Sequence, residues 1–359
     1  MLVTAECDSD EWVIPRTFAK QSVVISHIPF TRSEEIMRAI RVAALTGPDD
    51  VEIAEVDRPS PGSGEVLIEV AYAGVTFPEL LQTRGMYQTK HELPFVLGSE
   101  AAGVVVEAGD GSRFSAGDRV AAIPGKGTFA EFMVAADEQT VPVPDGVSLA
   151  HAAGMPMNVL TADFALRLRA QAQAGQSILV HGAAGGLGSA TVQMALAMGL
   201  EVIGVVSTEA KAQTVRDLGA THVVLAEGFK DAAKELYPNG VDYVFDPVGG
   251  DRFTDSTRVL APYGRLLVLG FTAGEIPSVK VNRLLLKNIS VDGVAWGAAT
   301  RERPDYIAEQ WGAVAEYVAA GKLNPAIHAT HPLDEAAKAI GELDSRSVRG
   351  KVLLELKGE

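Results

Sequence analysis

Cysteine is almost missing from this sequence of 359 residues, in which Cys7 stands alone. A single cysteine cannot build an internal disulfide framework, and it cannot supply the cysteine lobes of a structural zinc site. The near absence of cysteine therefore favours a protein of the reducing cytoplasm.

Long apolar runs and excess positive charge are lacking as well. No run approaches the roughly 18 residues that a membrane span requires. The formal net charge is −15, and no basic tract stands out. Because a protein that binds a phosphate backbone needs a cationic face, we expect neither a nucleic acid nor a membrane as a partner.

The composition is that of a globular protein large enough for two domains. Apolar residues make up 47% of the chain and charged residues 21%, which is typical of soluble domains. A length of 359 residues exceeds one ordinary domain and suits two.

The most informative stretch runs from Ser177 to Met198. The apolar run Ile178–Val180 fits a buried parallel strand, and a glycine-rich turn follows it. Beyond the turn, apolar residues recur at helical spacing, at Leu187, Ala190, Met194, Ala195 and Met198. Strand, glycine turn and helix N-terminus together form the context that binds the pyrophosphate of a dinucleotide.

The glycine spacing alone does not settle that reading. Glycines recur as Gly182-x-x-Gly185-x-x-Gly188, with Gly186 between them, whereas the commonest fingerprint is G-x-G-x-x-G. By itself the set also fits a tight strand–helix turn in another α/β protein.

The end of the next predicted strand, 201–206, bears on cofactor choice. An NAD enzyme usually carries Asp or Glu there for the ribose 2′-hydroxyl. This chain has Ser207 and Thr208, followed by Lys211. Hydroxyls and an ammonium would bind a 2′-phosphate, so the sequence favours NADPH over NADH. Lys211 could also be a solvated helix lysine and Thr208 only an N-cap, and Glu209 lies nearby.

The pattern along the chain predicts an interrupted first domain. Residues 1–36 read as an acidic, flexible extension without the features of a signal peptide. Residues 37–157 read as short strands of a partly open β-barrel. Residues 158–297 alternate strand and helix as a doubly wound parallel sheet. Residues 298–359 hold two helices and return strands that we expect to rejoin the first domain.

Several segments, in this order, resemble the medium-chain dehydrogenase/reductases, in the zinc-free quinone oxidoreductase (zeta-crystallin-like) branch. The resemblance covers residues 37–356 and rests on 98–103, 117–120, 156–162, 181–188, 246–250 and 349–352. It implies a GroES-like catalytic domain, a Rossmann domain inserted between its two parts, NADPH as hydride donor, and a homodimer.

The residues argue against a catalytic zinc ion. Zinc-dependent relatives carry Cys and His in the turn after the third strand and His in a Gly-His-Glu segment. Here those places hold Thr76, Phe77 and Ser99, which cannot form a nitrogen/sulfur tetrahedral site. Without a metal to polarise the substrate, we expect one that already accepts hydride, such as a quinone or a conjugated enone.

Two residues are candidates for the catalytic site. Tyr87, in Arg84-Gly-Met-Tyr87, resembles the Gly-x-Tyr whose tyrosine is the proton donor in the enoyl-thioester reductase branch. A tyrosine is mainly protonated at neutral pH and can donate, although it could also merely wall the pocket. Thr76 stands where close relatives have an Asn beside the nicotinamide amide.

The resemblance also transfers cofactor contacts by position. They comprise the glycine turn, the ribose end and several loop residues: Gly182, Ala184, Gly185, Gly186, Leu187, Gly188, Ser207, Thr208, Lys211, Asn158, Thr161, Val248, Gly270, Phe271 and Trp296. Phe271 and Trp296 could equally be core aromatics. His181 is expected to hydrogen-bond within the turn without doing chemistry.

Three functions remain open from the sequence. The first is an NADPH-dependent quinone or enone oxidoreductase. The second is a 2-enoyl-thioester reductase, for which Arg84, Lys90, Arg283 and Lys287 could form a phosphate-binding rim. The third is an NADPH-binding structural or regulatory protein with little turnover.

Overall fold

A computed structural model describes residues 36–303 and 305–359. The predicted extension, residues 1–36, therefore lies outside the described residues except for Ile36, which begins the first strand. Within the described part of the chain, no helix is long and apolar enough to cross a membrane.

The described chain forms sixteen strands and eleven α-helices. The strands are β1 Ile36–Val42, β2 Glu52–Asp57, β3 Glu65–Val75, β4 Phe95–Val96, β5 Glu100–Ala108, β6 Arg119–Ala122, β7 Phe132–Ala136, β8 Thr140–Pro142, β9 Ser177–His181, β10 Glu201–Val206, β11 His222–Leu225, β12 Val241–Asp246, β13 Leu260–Val268, β14 Ser290–Gly293, β15 Ile327–Pro332 and β16 Lys351–Glu355. The helices are α1 Phe77–Thr83, α2 Leu149–Ala153, α3 Pro156–Asp163, α4 Gly186–Ala197, α5 Glu209–Asp217, α6 Phe229–Leu236, α7 Phe253–Val259, α8 Asn282–Lys287, α9 Trp296–Glu302, α10 Tyr306–Ala319 and α11 Ala336–Asp344.

The middle of the chain is a six-stranded parallel sheet in the order β11-β10-β9-β12-β13-β14. Its central strand β9 is buried at every residue, which explains the uninterrupted apolar run in the sequence. The strand order reverses between β9 and β12. In a doubly wound sheet, ligands bind in the crevice outside the carboxyl ends of the strands at such a reversal.

The rest of the chain builds two sheets rich in antiparallel pairs. One has the order β2-β1-β4, and the larger has the order β15-β16-β3-β5-β6-β8, with β7 also paired to β3. The mixed α/β class, with a Rossmann-type parallel sheet and a separate antiparallel domain, is confirmed.

The last strand, β16, follows the parallel sheet in the chain and joins the sheet that contains β3. β16 pairs antiparallel with β3, joining Val352 to Val75, and parallel with β15. The predicted domain boundaries at 157/158 and 297/298 both fall inside helices, α3 and α9. The division into 37–157, 158–297 and 298–359 stays a prediction.

A buried ion pair ties β16 to β5, the two strands that flank β3 in the larger sheet. Lys351 Nζ on β16 lies 2.6 Å from Glu100 Oε1 on β5, and the two residues are 2% and 0% exposed. The other carboxylate oxygen of Glu100 accepts a hydrogen bond from the Met157 backbone N–H, at 2.7 Å. Breaking one partner of such a pair leaves an uncompensated buried charge.

We expect Lys351→Met to destabilise the protein by about 3–5 kcal/mol, because Glu100 loses its buried partner. The double variant Glu100→Gln/Lys351→Met should recover part of that loss. Lys357→Met is the matched control, since its pair with Glu69 is exposed and should contribute about 1 kcal/mol or less. Chemical denaturation measures all three, and equal losses for the two lysines would contradict the expectation.

Candidate functional site

The glycine turn between β9 and α4 is built so that its backbone is exposed to a ligand. Gly182 has φ +63°, a conformation that glycine adopts without strain. A Cβ at Gly188 would lie 2.1 Å from the Gly182 carbonyl oxygen, so the helix can approach the strand only without one. α4 begins at Gly186 with no side-chain cap in the described chain. Its first N–H groups are therefore available to an anion.

A cavity of about 380 Å³ opens at this turn, at the carboxyl ends of the parallel strands. Many of the predicted cofactor and catalytic residues line it together: Thr76, Asn158, Gly182, Ala184, Gly185, Gly186, Leu187, Gly188, Ser207, Lys211 and Val248. Asn158 packs against the turn itself, since a Cβ at Gly186 would lie 2.9 Å from its Nδ2. The cavity therefore joins the glycine turn, the ribose end of β10 and the first residues of α1.

The other predicted residues lie off the cavity wall. Thr208 is the N-cap of α5, where it accepts the backbone N–H of Lys211, and Thr161 lies in α3. Trp296 is buried and donates its ring N–H to Gln310 at 2.6 Å. The remainder stand in loops: Tyr87 after α1, and Gly270 and Phe271 after β13. The structure does not bring these residues into the cavity, and their assignment stays a prediction.

Cations from three distant segments line the cavity, and two of them, Lys211 and Arg346, are in contact. Lys211 comes from α5, Arg252 from the turn before α7, and Arg346 from the segment after α11. Lys211 donates to the backbone carbonyl of Arg346 at 2.5 Å, and the Arg346 guanidinium donates to the Thr272 carbonyl at 3.0 Å. Burial, together with the charge of Arg349, lowers the pKa of Lys211. Glu209 is directed elsewhere, since it pairs with Arg216 at 2.6 Å.

Sequence reasoning missed the part of the wall that the C-terminal segment contributes. It supplies Leu343, Asp344, Arg346, Val348, Gly350 and Lys351. The motif Arg349-Gly350-Lys351 carried the resemblance, but nothing local in it indicates a ligand contact. Only the tertiary return of β16 reveals that role.

The start of α1 places a polar pair at the cavity. Thr76 is the N-cap of α1, and Glu79 is the third helical residue. The Thr76 hydroxyl donates to Glu79 Oε2 at 2.5 Å, and the Thr76 backbone N–H donates to the same oxygen at 2.7 Å. Glu79 is completely buried, and burial raises its pKa.

Tyr87 is half-buried, three residues after Arg84. Burial raises the pKa of its hydroxyl, the charge of Glu79 raises it further, and the charge of Arg301 lowers it. The side chain therefore stays protonated at neutral pH. Arg84 itself forms a two-pronged pair with Asp344 of α11, at 2.7 and 3.2 Å.

Two buried polar side chains at the strand ends, His181 and Asp246, bond to other parts of the protein. His181 Nε2 lies 2.8 Å from Ser256 Oγ, and burial lowers the pKa of its ring to about 3, so the ring is neutral. Asp246 accepts the backbone N–H groups of Val248 and Gly249. Asp246 therefore serves its local backbone. His181 bonds to a side chain of α7 and not within the glycine turn, so the expectation from the sequence was wrong on its partner.

No group of three or more His, Cys, Asp or Glu residues is placed to hold a metal ion within residues 36–303 and 305–359. At the positions where zinc relatives carry ligands, the described chain has the hydroxyls of Thr76 and Ser99 and the ring of Phe77. These are poor donors for zinc.

Two family models match the chain. One is described as an alcohol dehydrogenase GroES-like domain, over residues 62–145, and the other as a zinc-binding dehydrogenase, over residues 186–312. Quinone oxidoreductase-like protein 2 of Bos taurus is 36% identical over 325 residues, which cover 89% of this chain and 93% of that protein. Quinone oxidoreductase of Rattus norvegicus is 33% identical, covering 89% of this chain and 98% of that protein.

Solved structures share the whole architecture. A probable oxidoreductase from Mycobacterium abscessus is 41% identical with a TM-score of 0.82, covering 89% of this chain and 99% of that chain. Escherichia coli quinone oxidoreductase complexed with NADPH is 27% identical with a TM-score of 0.82, at the same coverage of both chains.

We expect Gly188→Ala to destabilise the protein by about 1–3 kcal/mol, because its Cβ would collide with the Gly182 carbonyl. The matched control is Gly312→Ala, at an exposed position within α10 where an added Cβ meets nothing within 4 Å. That change should stabilise the helix by about 0.5–1 kcal/mol. Thermal unfolding of the two variants distinguishes the steric collision from the loss of a glycine as such. A Gly188→Ala variant as stable as the unaltered protein would contradict the predicted collision.

Proposed function

Because the chain belongs to the medium-chain dehydrogenase/reductase family, in its quinone oxidoreductase branch, we propose that it is an NADPH-dependent, metal-free oxidoreductase. Its substrate is a quinone or a conjugated enone, to which hydride is transferred. The single observation that carries the proposal is the joining of an uncapped glycine turn to the contacting cations Lys211 and Arg346 in one cavity.

The residues of the cavity fit the parts of NADPH. The turn at Gly185 and Gly186 offers backbone N–H groups and the positive end of α4 to the pyrophosphate. Ser207, Lys211 and Arg346 would hold the 2′-phosphate, since a guanidinium and an ammonium bind phosphate where an NAD enzyme would carry a carboxylate. When bound, NADPH supplies the hydride.

Arg346 strengthens the choice of NADPH over NADH beyond what the sequence offered. Its guanidinium is anchored on the Thr272 carbonyl, and its own carbonyl anchors Lys211. The two cations are thus held together before any ligand arrives. Such preorganisation lowers the ordering cost of binding a doubly charged phosphate.

The donor set supports chemistry without a metal. Thr76, Phe77 and Ser99 replace the nitrogen and sulfur ligands of the zinc-dependent enzymes. Without a Lewis acid the substrate must already be electrophilic, as quinones and enones are.

The enoyl-thioester alternative loses support at the proposed basic rim. The cavity lining includes none of the four cations of that rim, Arg84, Lys90, Arg283 and Lys287. Arg84 is in addition paired with Asp344. An NADPH-binding protein with little turnover is distinguished from an enzyme by measuring turnover.

A homodimer remains part of the proposal, and cytoplasmic location stays a prediction. β14 is the outer strand of the parallel sheet. The segment just before it exposes Val281, Leu285 and Leu286, each more than 70% accessible. Unpaired sheet edges and apolar patches of this kind mark association surfaces, and a second copy of this chain is the proposed occupant.

We expect Arg346→Ala to weaken NADPH binding by about tenfold or more and NADH binding very little, because only NADPH carries the 2′-phosphate. Lys211→Ala should behave in the same way. Arg216→Ala on α5 is the control, since that cation pairs with Glu209 and does not line the cavity. Fluorescence titration measures the dissociation constants, and equal losses for both nucleotides would place the 2′-phosphate elsewhere.

We expect the purified protein to oxidise NADPH with a simple quinone or a conjugated enone as acceptor, and more slowly with a short 2-enoyl-CoA. Absorbance of NADPH follows the reaction, and each acceptor is repeated with Tyr87→Phe. Turnover with the thioester that collapses in Tyr87→Phe would favour the enoyl-thioester reductase. Tight NADPH binding without turnover would favour the structural or regulatory protein.

A further inference from the structure

A buried carboxyl group lies directly behind the cavity residue Thr76. Glu79 is 0% exposed, and it does not line the cavity itself. Its Oε2 accepts both the hydroxyl and the backbone N–H of Thr76. Its Oε1 is buried and accepts no hydrogen bond of ordinary geometry from the described residues, although the Ser99 hydroxyl lies close to the carboxyl group. Leaving a carboxylate oxygen unsatisfied in the interior is costly.

Helix capping explains only half of this arrangement. A Thr at the N-cap and a Glu three residues later form a capping box, in which the carboxylate accepts the N-cap backbone N–H. That role uses Oε2 alone, and it requires no burial. A cap therefore leaves both the complete burial of Glu79 and its unpartnered Oε1 without a reason.

The charged and titratable groups around Glu79 come from several elements. Burial dominates and raises the pKa of Glu79, whereas hydrogen bonding by Ser99 and Thr76 and, least of all, the charge of Lys351 on β16 lower it. Tyr87 faces it from the loop after α1. Glu100 on β5 is taken up by Lys351. On α11, Asp344 pairs with Arg84 and Glu342 lies beside His331.

The hydrogen bond between Thr76 and Glu79 can run in either direction. When Glu79 is ionised, the Thr76 hydroxyl donates inward and presents only lone pairs to the cavity. When Oε2 carries a proton, Glu79 donates to Thr76 Oγ1 across the same 2.5 Å. The Thr76 proton then points to the cavity, because a hydroxyl is both donor and acceptor.

We propose that Glu79 holds the proton that Thr76 passes to the reduced substrate. The inference rests on the proposed function, reduction of a conjugated enone. Hydride adds to the enone and leaves an enolate. The enolate takes the proton of the Thr76 hydroxyl as Thr76 takes the proton of Glu79 Oε2. The substrate gains two bonds to hydrogen, one to the hydride given up when NADPH is oxidised to NADP⁺ and one to this proton. Glu79 becomes a carboxylate near Lys351, and water later returns its proton.

Three variants test this route. Glu79→Gln keeps the size and the acceptor for Thr76 but carries no acidic proton. Thr76→Val removes the hydroxyl and keeps the shape, whereas Thr76→Ser keeps the hydroxyl. Glu131→Gln is the matched control, because that carboxylate is paired with Arg38 away from the cavity. NADPH binding and thermal unfolding are measured for every variant to establish that it is folded.

The kinetic readout is kcat at saturating NADPH from acidic to alkaline pH, with methyl vinyl ketone or para-benzoquinone as acceptor. We expect kcat for the enone to fall as pH rises through the raised pKa of Glu79, because a general acid must be protonated. Glu79→Gln and Thr76→Val should lower kcat for the enone by about a hundredfold and abolish its fall with rising pH. Thr76→Ser should restore both the rate and the pH dependence. The quinone should change by less than about threefold, since a hydroquinone anion takes its proton from water.

An infrared readout is independent of turnover. The difference spectrum between the protein and Glu79→Gln should contain a carboxylic acid band near neutral pH that shifts in heavy water. Thr76→Val should shift that band in frequency, because the Glu79 carboxyl group loses its hydrogen bond to the Thr76 hydroxyl.

The outcomes separate the two levels of the proposal. Wild-type protein that oxidises NADPH with neither acceptor overturns the proposed function, and the infrared band still decides whether Glu79 holds a proton at Thr76. Absence of the band overturns the inference, whatever the turnover. Unchanged enone kinetics in Glu79→Gln overturn it as well, as does a complete loss in Tyr87→Phe with no loss in Glu79→Gln.

Discussion

The ion pair between Lys351 and Glu100 is the constraint on which the rest of the site depends. It fixes β16 to β5 in the interior, and Glu100 in turn accepts the backbone N–H of Met157, in the first turn of α3. Lys351 also packs against the glycine turn, since a Cβ at Gly186 would lie 3.3 Å from its Cδ. The pair formed by Lys351 and Glu100 thus positions the larger sheet, the helix that carries Asn158, and the glycine turn relative to each other.

This arrangement explains why the cavity has two different walls. The parallel sheet contributes backbone groups, from a turn that depends on the absence of side chains at Gly182 and Gly188. The sheet that contains β3 and the C-terminal segment contribute side chains, among them Thr76, Arg346 and Lys351, whereas Ser207 and Lys211 add side chains from the first wall. The pyrophosphate requires close backbone approach, and selectivity for the 2′-phosphate requires side chains of both walls.

The sequence revealed the parts of the fold that have a local signal. The buried run at Ile178–Val180, the glycine turn and the helix after it lie in the structure where the pattern predicted them. Ser207 and Lys211 could be anticipated because they follow a recognisable strand. Arg346, Lys351 and Glu79 could not, because their role depends on which distant segments meet. Trp296 followed the family pattern, but a hydrogen bond to Gln310 holds it in the core.

The route of the chain has a consequence for how the molecule comes into being. β3, near residue 70, acquires its partner β16 only when residues beyond 350 exist. During synthesis the inserted parallel sheet is complete long before the barrel that surrounds its cavity. Until then one edge of β3 lacks its partner β16. Pairing the two strands joins segments about 280 residues apart, and contacts between such distant segments form slowly. The cell therefore has the parallel sheet and its glycine turn before it has Arg346 and Lys351, and the cofactor cavity is completed by the last residues to be made.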